Sequence, residues 1–161
     1  MTMNRYADHI YVIPEDDRDR QLADGFILHD QVKTPRIQVM PPAGGWREVL
    51  KEFTTEYVQR LRKYGKGHVV LLIDFDGDYD NRRMVFDLEI PTDLKDRVFV
   101  IGPSLTPEDP KRAMGKNFEQ IGKDLAEDCF VGTETTWNHP HLVHNDPDRR
   151  KLADFIKKFL F

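Results

Sequence analysis

The chain has 161 residues, 39% of them hydrophobic and 32% charged, with a formal net charge of −4 and a single cysteine. That length suits one domain with a proper core, and the acidic balance excludes a protein that coats nucleic acid regardless of sequence, since such binding runs on phosphate neutralisation. No apolar run approaches membrane-spanning length and no signal-like segment opens the chain. Cys129 alone makes no internal disulfide, so a cytoplasmic protein with no membrane partner is expected.

In chain order, His9-Ile10-Tyr11-Val12-Ile13 is apolar and β-branched and reads as a first strand, stopped by Pro14-Glu15-Asp16-Asp17. From Arg18 to Leu28, the apolar residues Leu22, Ala23, Phe26 and Ile27 fall on one helical stripe. Asp17 is placed to cap this helix and Gly25 to weaken it. Arg36 to Met40 alternates as a second strand. The loop Pro41-Pro42-Ala43-Gly44-Gly45 follows, with backbone N–H groups suited to an anion or simply a flexible link. Trp46, Val49, Leu50, Phe53, Tyr57 and Leu61 recur at helical spacing, and the helix stops near Tyr64-Gly65-Lys66-Gly67.

The next strand, Val69-Val70-Leu71-Leu72-Ile73, is apolar throughout, as a strand covered on both faces of a parallel sheet must be, and it runs into Asp74-Phe75-Asp76-Gly77-Asp78. Met84-Val85-Phe86 reads as a short edge strand and Arg97 to Gly102 as a fourth core strand. Thr106-Pro107-Glu108-Asp109 has the cap, proline and acids of a helix start. Further helices are predicted over Asn117–Asp128 and Asp148–Phe161, with Cys129 a small core residue and the apolar Phe159-Leu160-Phe161 end packed or contacting a second copy.

Strands alternating with helices imply an α/β fold: one domain with a mainly parallel sheet of four to five strands, helices on both faces, a core over about residues 9–130 and a helical extension over 131–161. Parallel strands end on one edge, which sets Glu15, Asp16 and Asp17 beside Asp74 and Asp76. Acids two residues apart on an extended chain project to one side, so Asp74 and Asp76, with Asp78 and Glu15, make candidate ligands for a hard divalent cation. The same Asp and Gly residues also make an ordinary turn. An EF-hand is a poor match: the sharp-turn glycine is missing and Val85 stands where a bidentate Glu is needed. Arg18, Arg82 and Arg83 lie near these acids as candidate phosphate-binding groups or solvated surface arginines. Around Trp137, His139, His141 and His144 form a second cluster, read as a loop of hydrogen-bonded histidines. His141 or His144 becomes an acid/base candidate if it folds back over the acidic edge.

Val12-Ile13-Pro14-Glu15 together with Leu71-Leu72-Ile73-Asp74-Phe75-Asp76 resembles the TOPRIM domain, the family of topoisomerases, primases and the OLD-type and small RloB-like nucleases of phage defence. The family's glutamate matches Glu15 and its two aspartates match Asp74 and Asp76, whereas its usual glycine after the glutamate is here Asp16. The resemblance implies a nuclease: Mg²⁺- or Mn²⁺-dependent phosphodiester hydrolysis of nucleic acid, with Glu15, Asp74 and Asp76 as the catalytic and metal-binding set. Two other classes stay open. One is a receiver-like signalling domain with Asp74 phosphorylated and Ser104 after the fourth strand; the other is a non-catalytic adaptor that works as a homodimer or with a larger partner protein.

Overall fold

The computed structural model describes residues 3–104 and 117–161. The helix start at Thr106 therefore lies outside the described residues. Four strands, β1 (His9–Pro14), β2 (Ile37–Val39), β3 (Gly67–Leu72) and β4 (Val98–Ile101), form one all-parallel sheet in the order β2-β1-β3-β4. Six α-helices accompany them among the described residues: α1 (Asp17–Ile27), α2 (Trp46–Glu52), α3 (Val58–Lys63), α4 (Tyr79–Glu89), α5 (Phe118–Val131) and α6 (Asp146–Ile156). The α/β class, single domain and parallel sheet are as the sequence led us to expect. No described helix is long and apolar enough to cross a membrane.

Alternation along the strands divides the core in two. Ile10, Val12, Val70, Leu72, Phe99 and Ile101 face α1, α5, α6 and the C-terminal Phe159-Leu160. Tyr11, Ile13, Val69, Leu71, Val98 and Val100 face α2, α3 and α4. With both sheet faces covered, the strands need no polar side, which is why they read as continuous apolar runs. The segment beyond residue 131 is part of the domain: Asp148 accepts the Val100 N–H at 3.2 Å and Asn145 accepts the Gly102 N–H at 3.1 Å, fixing α6 to β4.

Three local features depart from the sequence reading. Met84-Val85-Phe86 is helical, inside α4; only Phe86 is buried, while Met84 and Val85 stay solvent-facing, so three adjacent apolar residues do not make a strand. Helices α2 and α3 are one continuous rod joined by a π turn, Phe53–Tyr57. Val49, Phe53, Tyr57 and Leu61 repeat every fourth residue, which drifts about 40° per step on a 3.6-residue helix. The wider π turn takes up that drift, so all four side chains are buried.

Gly25 is the third. Its helix-weakening lack of a side chain permits a close crossing of α1 with α5: a Cβ there would sit 1.9 Å from the Glu119 carbonyl oxygen, and one on Gly122 would sit 1.9 Å from that of Leu22. Added methyl groups at such a contact force the helices apart. Gly122→Ala is expected to cost about 1–3 kcal/mol in urea unfolding, whereas Gly65→Ala, with open space around it, stays within about 0.5 kcal/mol of the parent.

His68 is buried between Phe99 and Phe155, and burial pushes its pKa down to about 4. The folded state therefore holds the ring neutral, and its contribution is complete above the unfolded value near 6.5 and lost as pH falls towards 4. The His68 share of stability is expected to drop by roughly 3 kcal/mol over that window, read from denaturant unfolding as the difference between the pH profiles of the parent and His68→Phe.

Candidate functional site

The sheet order places β1 and β3 side by side where the connections reverse direction, and in open parallel sheets the crevice beyond the strand ends at that point is where ligands bind. Glu15 follows β1 directly and extends the ladder, its N–H bonded to the Leu72 carbonyl at 2.9 Å. Its side chain turns across the seam, where Oε1 accepts the Asp74 N–H at 3.0 Å. The acids that end the two central strands are thereby joined by a direct bond.

Beyond β3 the chain is not extended. Asp74 Oδ1 accepts the Asp76 N–H at 2.8 Å, Asp76 has φ 51°, and Gly77 follows at φ 77°. This is an Asx turn, a conformation Asp and Gly tolerate. Asp74 and Asp76 therefore do not alternate along an extended strand; they lie on a turn that can also belong to a site. Arg82, one turn into α4, spans the turn, donating to the Asp74 carbonyl at 2.9 Å and to Asp76 Oδ2 at 2.5 Å, with its guanidinium 4.5 Å above the Trp46 ring. Ser104 closes the other side by accepting the Gly77 N–H at 2.9 Å. The Gly44 N–H goes to the Glu15 carbonyl, so that loop walls the crevice and does not offer this N–H to an anion.

On the β1 side the helix cap is Asp16, not Asp17: Asp16 Oδ1 accepts the Asp19 N–H at 3.1 Å, while Asp17 turns outward to Arg20 and Gln21. Arg18 lies 3.3 Å from Asp16 and 3.9 Å from Asp74. The site contains a carboxyl that the sequence reading missed. Asp19 is only 3% exposed, its carboxyl buried against that of Asp16. The available signal was spacing: Asp19 lies three residues after the cap Asp16, at the first-turn position whose N–H the cap accepts.

Among the described residues, five carboxyl groups, those of Glu15, Asp16, Asp19, Asp74 and Asp76, gather near the guanidiniums of Arg18 and Arg82. Burial and the neighbouring acids raise the pKa of Glu15, against the lowering effect of the Asp74 N–H. Burial first, then Asp16, Glu15 and Asp74, hold Asp19 well above the ordinary carboxylate range. In chemistry this all-oxygen, net-negative set fits a hard divalent cation. Among the described residues, however, no three His, Cys, Asp or Glu side chains converge as an ion cage would.

Two of the expected site residues lie elsewhere. Arg83 is committed to structure, bonding Asp87, the Val100 carbonyl and the Asp148 carboxylate, and so ties α4 and β4 to α6. The Asp78 carboxylate accepts from the Asn81 amide in the first turn of α4. The histidine segment does fold back onto the loops after β3 and β4. His144 donates from Nε2 to the Gly102 carbonyl at 2.7 Å and packs on Phe75 and Tyr79, and burial lowers its pKa, so it is a neutral packing residue. His141 donates from Nδ1 to the Ser104 carbonyl at 3.1 Å; a carbonyl only accepts, so the neutral ring carries its lone pair on Nε2.

Compared with protein-family models, with curated proteins and with solved structures, the chain matches none.

Arg82→Gln is expected to lower stability by about 1–3 kcal/mol, because it removes a largely buried guanidinium that donates to both the Asp74 carbonyl and the Asp76 carboxylate. Adding Asp76→Asn should restore part of that loss; strictly additive losses in a double-mutant cycle would show that the pair does not couple.

Proposed function

We propose that this edge hydrolyses phosphodiester bonds of a nucleic acid with the help of Mg²⁺ or Mn²⁺, in the cytoplasm, as the TOPRIM resemblance implies. The observation that carries the reading is the bond from the Asp74 N–H to Glu15 at the β1–β3 switch point, which concentrates surplus negative charge where parallel sheets bind ligands. Glu15 and Asp74 are the residues to hold the cation, which when bound polarises phosphate oxygen and makes water acidic enough to attack. Arg18, half exposed on a long side chain, is suited to take phosphate oxygens, and Arg82 orients the turn through Asp76. Glu15, its pKa raised by burial, is the group suited to accept the proton of an attacking water, and His141 Nε2 is the candidate to exchange one at the leaving side.

Purified protein incubated with plasmid DNA, single-stranded DNA and RNA, with Mg²⁺ or Mn²⁺, tests this directly. Metal-dependent cleavage of one substrate is expected, lost about a hundredfold or more in Asp74→Asn and in Glu15→Gln. Absence of cleavage by the parent protein, or cleavage that survives Asp74→Asn, would contradict the proposal and favour a non-catalytic adaptor acting as a homodimer or with a protein partner.

The strand order favours one second reading. The order β2-β1-β3-β4 is that of flavodoxin-like sheets, the class that includes receiver domains, and Asp74 and Ser104 follow β3 and β4 as a receiver would require. Chemical-shift changes around Asp74 on adding beryllofluoride would support that reading over hydrolysis.

A further inference from the structure

We propose that the core between the sheet and the helices α1, α5 and α6 holds a dry cavity of about 80 Å³ that takes up one small apolar molecule, at a place that no acid of the β1–β3 edge lines. The two faces of the sheet differ in how well they are filled. Val69, Leu71 and Val100, which point to α2, α3 and α4, are 0% exposed. Val12, Val70 and Leu72, which point the other way, are 5, 7 and 6% exposed, although helices cover that face as well. All three line the cavity, so the surface they keep is part of its wall. The reason the space stays open is visible in the backbone. Where α1 crosses α5, Gly25 meets Glu119 and Gly122 meets Leu22 so closely that neither glycine has room for a Cβ. The helix pair is stopped against itself, and with Ala23 on α1 facing valines on the strands, short side chains leave the space between them unfilled.

What enters such a space follows from what lines it. Water is small enough, since one molecule needs only about 10–15 Å³, but it also needs roughly two to four polar partners. The described residues of the wall offer none. Their strand side chains are aliphatic; the Gly102 N–H is bonded to Asn145, and the Gly102 carbonyl accepts from Asn145 and His144. Trp137 contributes its ring, while its N–H is directed to the Cys129 thiol. An ion or a polar ligand would give up its hydration there with nothing in return. An apolar guest gives up nothing of that kind, and it supplies the dispersion contacts that wall atoms forgo across a gap. Size narrows the class further. A cavity of about 150 Å³ lined by Leu, Ile and Phe binds benzene or xenon, so one of about 80 Å³ admits a xenon atom or a hydrocarbon of a few carbon atoms and excludes a cofactor or a drug-sized ligand.

The test follows the methyl groups of the full chain by carbon–proton correlation spectra under rising xenon pressure. The parent protein is expected to show saturable shifts at Val12, Val70, Leu72 and Leu152, with Val69, Leu71 and Val100 on the opposite face unmoved. Methanol, similar in size but carrying a hydroxyl, is expected to move neither face. Ala23→Leu puts a larger side chain into the space. It should abolish the xenon response and unfold at a urea midpoint no lower than that of the parent, whereas the same enlargement in a filled core strains its neighbours and destabilises. No xenon response in the parent, shifts that grow equally and without saturation on both faces, an equal response to methanol, or a response that survives in folded Ala23→Leu would each overturn the proposal. The first three readouts need only the parent protein, so they decide the matter should Ala23→Leu misfold.

Discussion

The structure turns on one contact, the Asp74 N–H donated to the Glu15 carboxylate across the ends of β1 and β3. Both strands are covered on both faces, so their polar groups can meet only at their ends. There the first acid of one strand satisfies the first backbone donor beyond the other. Removing that acceptor would leave the Asp74 N–H short of a partner at the edge of the core, a loss worth about 1–3 kcal/mol. The Asx turn, the Arg82 clamp and the Ser104 bond to Gly77 all build outward from the direction this contact gives to residue 74.

The same contact creates an electrostatic problem. Glu15 is held near Asp74 and Asp76, and the α1 cap brings Asp16 and Asp19 to the same place. Among the described residues, Arg82 and Arg18 meet these acids, one tightly and one loosely. Arg82 sits between α4 and Trp46 and is largely buried, so it belongs to the architecture of the turn. Arg18 is half exposed and meets its acids at longer range. The asymmetry divides the edge into a buried half and a solvent-facing half.

Much of the fold was legible because its strands are buried on both sides. Runs such as Val69–Ile73 admit few other readings, and their acidic ends fixed which residues would gather. What was not legible depended on tertiary partners. Met84-Val85-Phe86 looks like a strand until one sees that only Phe86 has a core to enter. Gly25 reads as a helix defect until α5 crosses it. Arg83 stands next to Arg82 in sequence, but one helical step swings it to Asp148, away from the acids. Nothing in the charge pattern of α1 sets Asp19 apart from its neighbours; only the cap geometry of Asp16 shows that the first turn faces inward there.

The central claim is that the edge exists to receive a cation. Crystals of the protein equilibrated with Mn²⁺, recorded near the manganese absorption edge, test it most directly. The account predicts an anomalous peak about 2.1 Å from carboxylate oxygens of Glu15 and Asp74. A map with no peak at this edge at millimolar Mn²⁺ would contradict it.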